Sequence, residues 1–100
     1  IGTDRPASNK ASVSGTATLY PKATYATMRV FLQYKSGDNW NNVTSCSPKA
    51  FTSTEYGTVS IGSGGTFKNV SAKKIYRGAI TVTHKIDTTT YTNNYRSSSF

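Results

Sequence analysis

Between Lys10 and Tyr20 the chain alternates without interruption: Ala11, Val13, Gly15, Ala17 and Leu19 fall on one set of positions, and Lys10, Ser12, Ser14, Thr16, Thr18 and Tyr20 on the other. A period of two over this length fits a half-buried β-strand and does not fit a helix, whose apolar face repeats every 3.6 residues. The pattern returns after Pro21. From about Thr24, Ala26, Met28, Val30, Leu32 and Tyr34 share one face, and Tyr25, Thr27, Arg29, Phe31, Gln33 and Lys35 share the other. Arg29 and Lys35 mark that second face as the solvated one, with Phe31 as an exposed or partly covered aromatic. A third alternating run follows Lys73-Lys74, with Tyr76, Gly78, Ile80, Val82 and His84 set against Ile75, Arg77, Ala79, Thr81 and Thr83.

Between these runs lie the punctuating residues. Pro21 is expected to end the first strand, and Ser36-Gly37-Asp38-Asn39 reads as a hairpin turn because Gly and Asn accept positive φ. A return strand is expected from Trp40 to about Cys46, with Trp40 and Val43 as its apolar contacts. Pro48 closes it, since a residue without an N–H does not sit in a central ladder. Phe51–Ile61 reads as a fourth extended stretch, with Tyr56, Gly57, Val59 and Ile61 as its apolar spacing. Gly62-Ser63-Gly64-Gly65 reads as a loop, Phe67 and Val70 as a short strand or irregular crossing, and Ile86–Thr90 as a turn. Tyr91–Phe100 reads as a polar edge strand, and Gly15 as a bulge or a close approach by another backbone.

The expected architecture is therefore all-β, an antiparallel immunoglobulin-like β-sandwich of about seven strands, because each long strand has one apolar and one polar face. Its organisation is a polar, extended or mobile arm over residues 1–9 and a single domain over residues 10–100. Composition agrees: Leu occurs only at Leu19 and Leu32, whereas Thr, Ser and Tyr are plentiful. No apolar run is long enough to span a bilayer as a helix. The chain opens Ile1-Gly2-Thr3-Asp4 with neither an initiator Met nor a charged-then-apolar leader, as a mature secreted chain would.

The order Lys10-Ala-Ser-Val-Ser-Gly-Thr-Ala-Thr-Leu19, Phe31-Leu-Gln-Tyr34, a polar turn, Trp40 and Val43, then Tyr76-Arg77 opening a strand that ends at His84, resembles small secreted immunoglobulin-like β-sandwich proteins of Gram-positive bacteria. The resemblance spans Lys10 to about Tyr95. It implies an extracellular location and that fold, and it implies no activity and no site residues. Tyr76 is placed for the tyrosine-corner role of such sandwiches. The paired cysteines of antibody domains are absent.

Catalytic constellations are not legible. Asp4 lies in the arm, and Asp38 and Asp87 lie in turns, where their side chains bond their own backbone. Glu55, the one acid near a strand, is placed to pair with a basic neighbour. Cys46 reads as a buried thiol, and His84 as a partly buried strand-end histidine bonded to backbone. The two together are a thin basis for a thiol nucleophile. No metal-ligand cluster and no phosphate loop is present, so no catalytic residue, metal or cofactor is assigned. Asn42-Val43-Thr44 and Asn69-Val70-Ser71 match the glycosylation triplet, which arises readily in a chain rich in Asn, Ser and Thr.

Charge is the strongest functional signal. Twelve Lys and Arg against four acids give a net charge of +8, which favours anionic surfaces and opposes self-association. The candidate anion-binding residues are Arg29, Lys35, Lys73, Lys74, Arg77 and Lys85, with Tyr25 and Phe31 as aromatic neighbours. The leading expectation is a secreted, non-enzymatic module contacting an anionic cell-wall polymer, with a membrane surface as an alternative anionic partner. The secreted character argues against nucleic acid, although Tyr25, Arg29 and Phe31 share a face. The competing expectations are an antibacterial or toxin-like protein, a subunit of an extracellular fibre built by edge-strand addition rather than a monomer, and a charge excess that only solubilises the chain and has no dedicated partner.

Overall fold

The computed structural model describes residues 1–100 and contains no helix. Its strands are β1 (Gly2–Ala7), β2 (Lys10–Ser36), β3 (Asn39–Asn42), β4 (Ala50–Lys68), β5 (Tyr76–Ile86) and β6 (Thr89–Arg96). They form one continuous antiparallel sheet of six strands in which β1, β2, β5 and β6 follow one another and β3 and β4 also pair with β2. The sheet curls into a half-barrel.

β2 organises everything. A straight strand of 27 residues would be about 90 Å long at about 3.3 Å per residue. The longest dimension of the molecule is 45 Å, so β2 must turn back. It does so at Leu19–Lys22, where the register with β4 jumps from Thr18↔Ser60 to Ala23↔Thr58. Four residues of β2 then face one residue of β4, Val59, in an extended bulge that bends the sheet. Pro21 therefore bends the strand rather than ending it. Before the bend β2 lies between β1 and the second half of β4; after it, between β5 and the first half of β4, with β3 at its end.

The bend turns the apolar faces of the two halves toward each other. Ala11, Val13 and Leu19 from the first half meet Met28, Val30 and Leu32 from the second, together with Phe67, Tyr76, Ile80 and Val82. Gly15 lies where the Ile80 side chain crosses, and a Cβ there would collide with Ile80 Cδ1. The close approach expected at Gly15 is thus made by a side chain and not by another backbone.

Several expectations for the middle of the chain are corrected. Gly62–Gly65 is no loop: all four residues pair with β2, Gly62 opposite Thr16 and Gly65 opposite Val13. The glycines are there because Gly64 has φ +140° and the Phe51 ring rests over Gly65, 2.6 Å from where a Cβ would be. Phe51 also meets Phe67 edge-on, with centroids 5.0 Å apart. Phe51 and Phe67 therefore belong to one strand, not to two elements. Tyr56 and Val59 are exposed: Tyr56 pairs with Tyr25 on the outward face, with ring centroids 5.3 Å apart, and Val59 stands unpaired at the bulge. The return strand stops at Asn42, and Cys46 lies beyond it in the loop.

The termini close the fold. Gly2–Ala7, the expected arm, is extended and pairs with β2. The last strand ends at Arg96 and is exposed throughout, while Phe100 exchanges two backbone hydrogen bonds with Tyr76, at 2.8 and 3.0 Å. Of the three two-residue hairpin turns, those at Gly37-Asp38 and Asp87-Thr88 carry positive φ at their first residue, and the one at Ser8-Asn9, between β1 and β2, does not. No helix is long and apolar enough to cross a membrane.

Tyr76 is buried at the start of β5, and its hydroxyl accepts the Ser71 N–H at 2.7 Å. Tyr76→Phe is expected to lose about 1 kcal/mol, the usual net worth of such a bond, measured as a lower urea midpoint at unchanged slope. Cys46 is buried, with Sγ 3.3 Å from the Pro48 carbonyl. Burial pushes its thiol up, against the smaller lowering effects of a backbone hydrogen bond and Lys49. The folded state therefore holds this proton to higher pH than the unfolded chain. Its contribution to stability is full below the unfolded thiol's titration and is lost as pH rises through the folded value. Urea midpoints are expected to fall more steeply at alkaline pH for the native chain than for Cys46→Ala.

Candidate functional site

Residues on β2 that alternate with its buried row point away from the core, and pairing carries this outward face across four strands. Tyr25 stands beside Tyr56 and Lys85, Thr27 beside Thr54 and Thr83, Arg29 beside Thr52 and Thr81, and Phe31 beside Ala50 and Ala79. At the far end Gln33 stands beside Asn42 and Arg77, and Lys35 beside Trp40. On β6, Arg96 stands beside Ala79.

Of the residues expected from sequence, this face gathers Tyr25, Arg29, Phe31, Lys35, Arg77 and Lys85. It does not include Lys73 and Lys74, which lie in the exposed turn before β5, where the Lys74 ammonium sits 4.1 Å from the Tyr34 ring centroid. Sequence reasoning missed Arg96, Trp40 and Gln33. The register of β6 brings Arg96 across small Ala79 to Phe31, and no periodicity within Tyr91–Phe100 signals that.

The geometry around Phe31 is the centre of the face. Arg29 and Arg96 both lie over its ring, with guanidinium carbons 4.8 and 5.6 Å from the centroid. Phe31 is consequently only 8% exposed despite pointing outward. Next to it, Arg77 Nε donates to Gln33 Oε1 at 2.8 Å, and Gln33 Nε2 donates to Asn42 Oδ1 at 2.9 Å. The Arg77 guanidinium lies 4.5 Å from the Trp40 ring centroid. Burial, and then the like charge of Arg96, lower the Arg77 guanidinium from its ordinary value, though an arginine stays cationic near neutrality.

Carboxylates play no part. No ion pair forms in the molecule, so Glu55 does not pair as expected; it stands opposite Ala26 on the other face of β4. Asp38 and Asp87 lie in the turns at the two ends of the face. Five cations lie over aromatic rings instead, each within about 6 Å of the ring centroid. A carboxylate would neutralise the cation it orients. An aromatic ring orients it and leaves its full charge for a ligand. The arrangement can therefore bind anions, and guanidinium forks suit phosphate or carboxylate oxygens.

Elsewhere, chemistry-bearing groups are dispersed. No three His, Cys, Asp or Glu side chains gather. His84 is half-buried and stacks on Tyr91, with centroids 5.2 Å apart, while its Nδ1 has no hydrogen-bond partner. That stacking replaces the expected backbone bond. Comparison with protein-family models, with curated proteins and with solved structures finds no match.

Proposed function

We propose that the protein is a secreted, non-enzymatic binding module that contacts anionic cell-envelope polymers through the outer face of β2, β5 and β6. The observation that carries this reading is the set of uncompensated guanidiniums on one face, Arg29 and Arg96 over Phe31 and Arg77 over neighbouring Trp40, held without a single carboxylate partner. Maintaining like charges side by side costs free energy, and an anion bridging them would remove that cost. Affinity arises from charge attraction and from displacement of counterions, so it is steeply salt-dependent.

We read the two halves of the single bent sheet as the two layers of an immunoglobulin-like sandwich. The Tyr76 hydroxyl bonded to backbone five residues upstream supports it, as a tyrosine corner does in such domains. The free edge of β6 favours a second reading, a fibre subunit built by strand addition. Electron microscopy of concentrated protein showing monomers alone would remove it.

The test of the main reading is retention on purified cell walls across a salt series. Strong retention at about 20 mM salt that is lost by about 300 mM is the expected result, since screening lengths shrink severalfold over this range. Retention indifferent to ionic strength would contradict the electrostatic mechanism.

A further inference from the structure

The cations on this face are not evenly spread. Lys35, Arg77, Arg96 and Arg29 crowd its β3 end, and Lys85 stands alone at the other, beside Tyr25 and Tyr56. Between Arg29 and Lys85 runs a neutral band: Thr54, Thr27, Thr83 and Thr92 lie directly opposite one another across β4, β2, β5 and β6. Thr is favoured in strands, and neighbouring Thr pairs stabilise a sheet, so threonine alone signifies little. What matters is where the row lies, between the two cationic ends of the face. Its four hydroxyls, like most threonine hydroxyls of the chain, have no partner within the molecule, and all four are exposed or half-buried, so they are open to a ligand.

Same-face positions along a strand are about 6.7 Å apart, so Arg29 and Lys85 flank a neutral gap of about 13 Å. That gap is about the size of one sugar unit with its linkage. A polymer charged at every short step would leave charges over uncharged hydroxyls. One with a neutral, hydroxyl-rich unit between its charges would not. Resting on the envelope-binding reading above, we infer that the ligand is a phosphodiester polymer with a neutral sugar in each repeat. Its phosphates meet the Arg29–Arg77–Arg96 cluster and Lys85, and its sugar hydroxyls meet the threonine row.

The experiment compares two probes, poly(glucosyl-glycerol phosphate) and inorganic polyphosphate, which has charge but no neutral unit. The triple variant Thr27→Val, Thr83→Val, Thr92→Val keeps β-branched side chains and removes three hydroxyls. Its affinity for the glycosylated polymer is expected to fall about tenfold, with polyphosphate binding held within twofold. The matching Ser triple, which keeps the hydroxyls, is expected to bind as the native chain does. Circular dichroism spectra and urea midpoints of both triples establish that they fold. A Val triple that binds both probes as before, or loses both equally, overturns the sugar-unit inference and leaves the electrostatic reading standing. A native chain that binds neither probe at low salt overturns both.

Discussion

Replacing Arg29, Arg77 and Arg96 together by Gln is expected to weaken binding to an anionic polymer roughly a hundredfold at low salt, at about 1 kcal/mol for each basic side chain near an anionic surface. The plot of log affinity against log salt should also flatten, since each cation–phosphate contact removed lowers its slope by about 0.7–0.9. Overall charge is a competing cause, because any such triple lowers the net +8 by the same amount. The control is Lys10→Gln, Lys22→Gln, Lys68→Gln, which removes equal charge from the start of β2, its bend and the end of β4 that pairs with Lys10, away from the outer face of β5 and β6. It is expected to change affinity by only a few fold. Equal losses in the two triples would mean that charge acts without a site. The arginines reach over an exposed face, so their removal should leave the fold intact, with the urea midpoint as the check.

Phe67→Ala is expected to have the largest effect on stability. Phe67 is fully buried, in edge contact with Phe51 and packed where the two halves of β2 close on each other. Large-to-small aromatic substitutions in a core cost about 3–5 kcal/mol through lost transfer energy and the cavity left behind. For a domain of this size that is a fall in Tm of about 12 °C or more. The cavity is remote from the cationic face, so binding measured well below the lowered Tm should be nearly native. A loss of only about 1 kcal/mol would mean that the halves pack loosely and that the bend, rather than the core, sets the shape.

The three long alternating runs were legible because solvation acts residue by residue. Ala11, Val13 and Leu19, then Ala26, Met28, Val30 and Leu32, then Tyr76, Ile80 and Val82 are all buried as their spacing requires. What the chain does between those runs was not legible. Pro21 and Gly62–Gly65 are breakers by local propensity, yet both lie inside strands. The bulge absorbs Pro21, and the glycines make room for Phe51 and for the backbone of β2. Such tolerance is decided by neighbours distant in sequence, which local patterns do not encode. The same limit applies to the site. Arg29, Phe31 and Lys35 share a face by parity alone, and Arg77 and Lys85 join them by strand pairing. Arg96 and Trp40 enter only once the registers of β6 and β3 are fixed.

Titration of isotope-labelled protein with poly(glycerol phosphate), followed by backbone amide chemical shifts, tests the central claim most directly. Shifts concentrated at Arg29, Phe31, Gln33, Arg77, Ala79 and Arg96, with Lys10–Thr18 and Thr66–Lys68 nearly still, are the expected result. Shifts spread evenly over both halves of the sheet, or centred on Lys10 and Lys68, would contradict it.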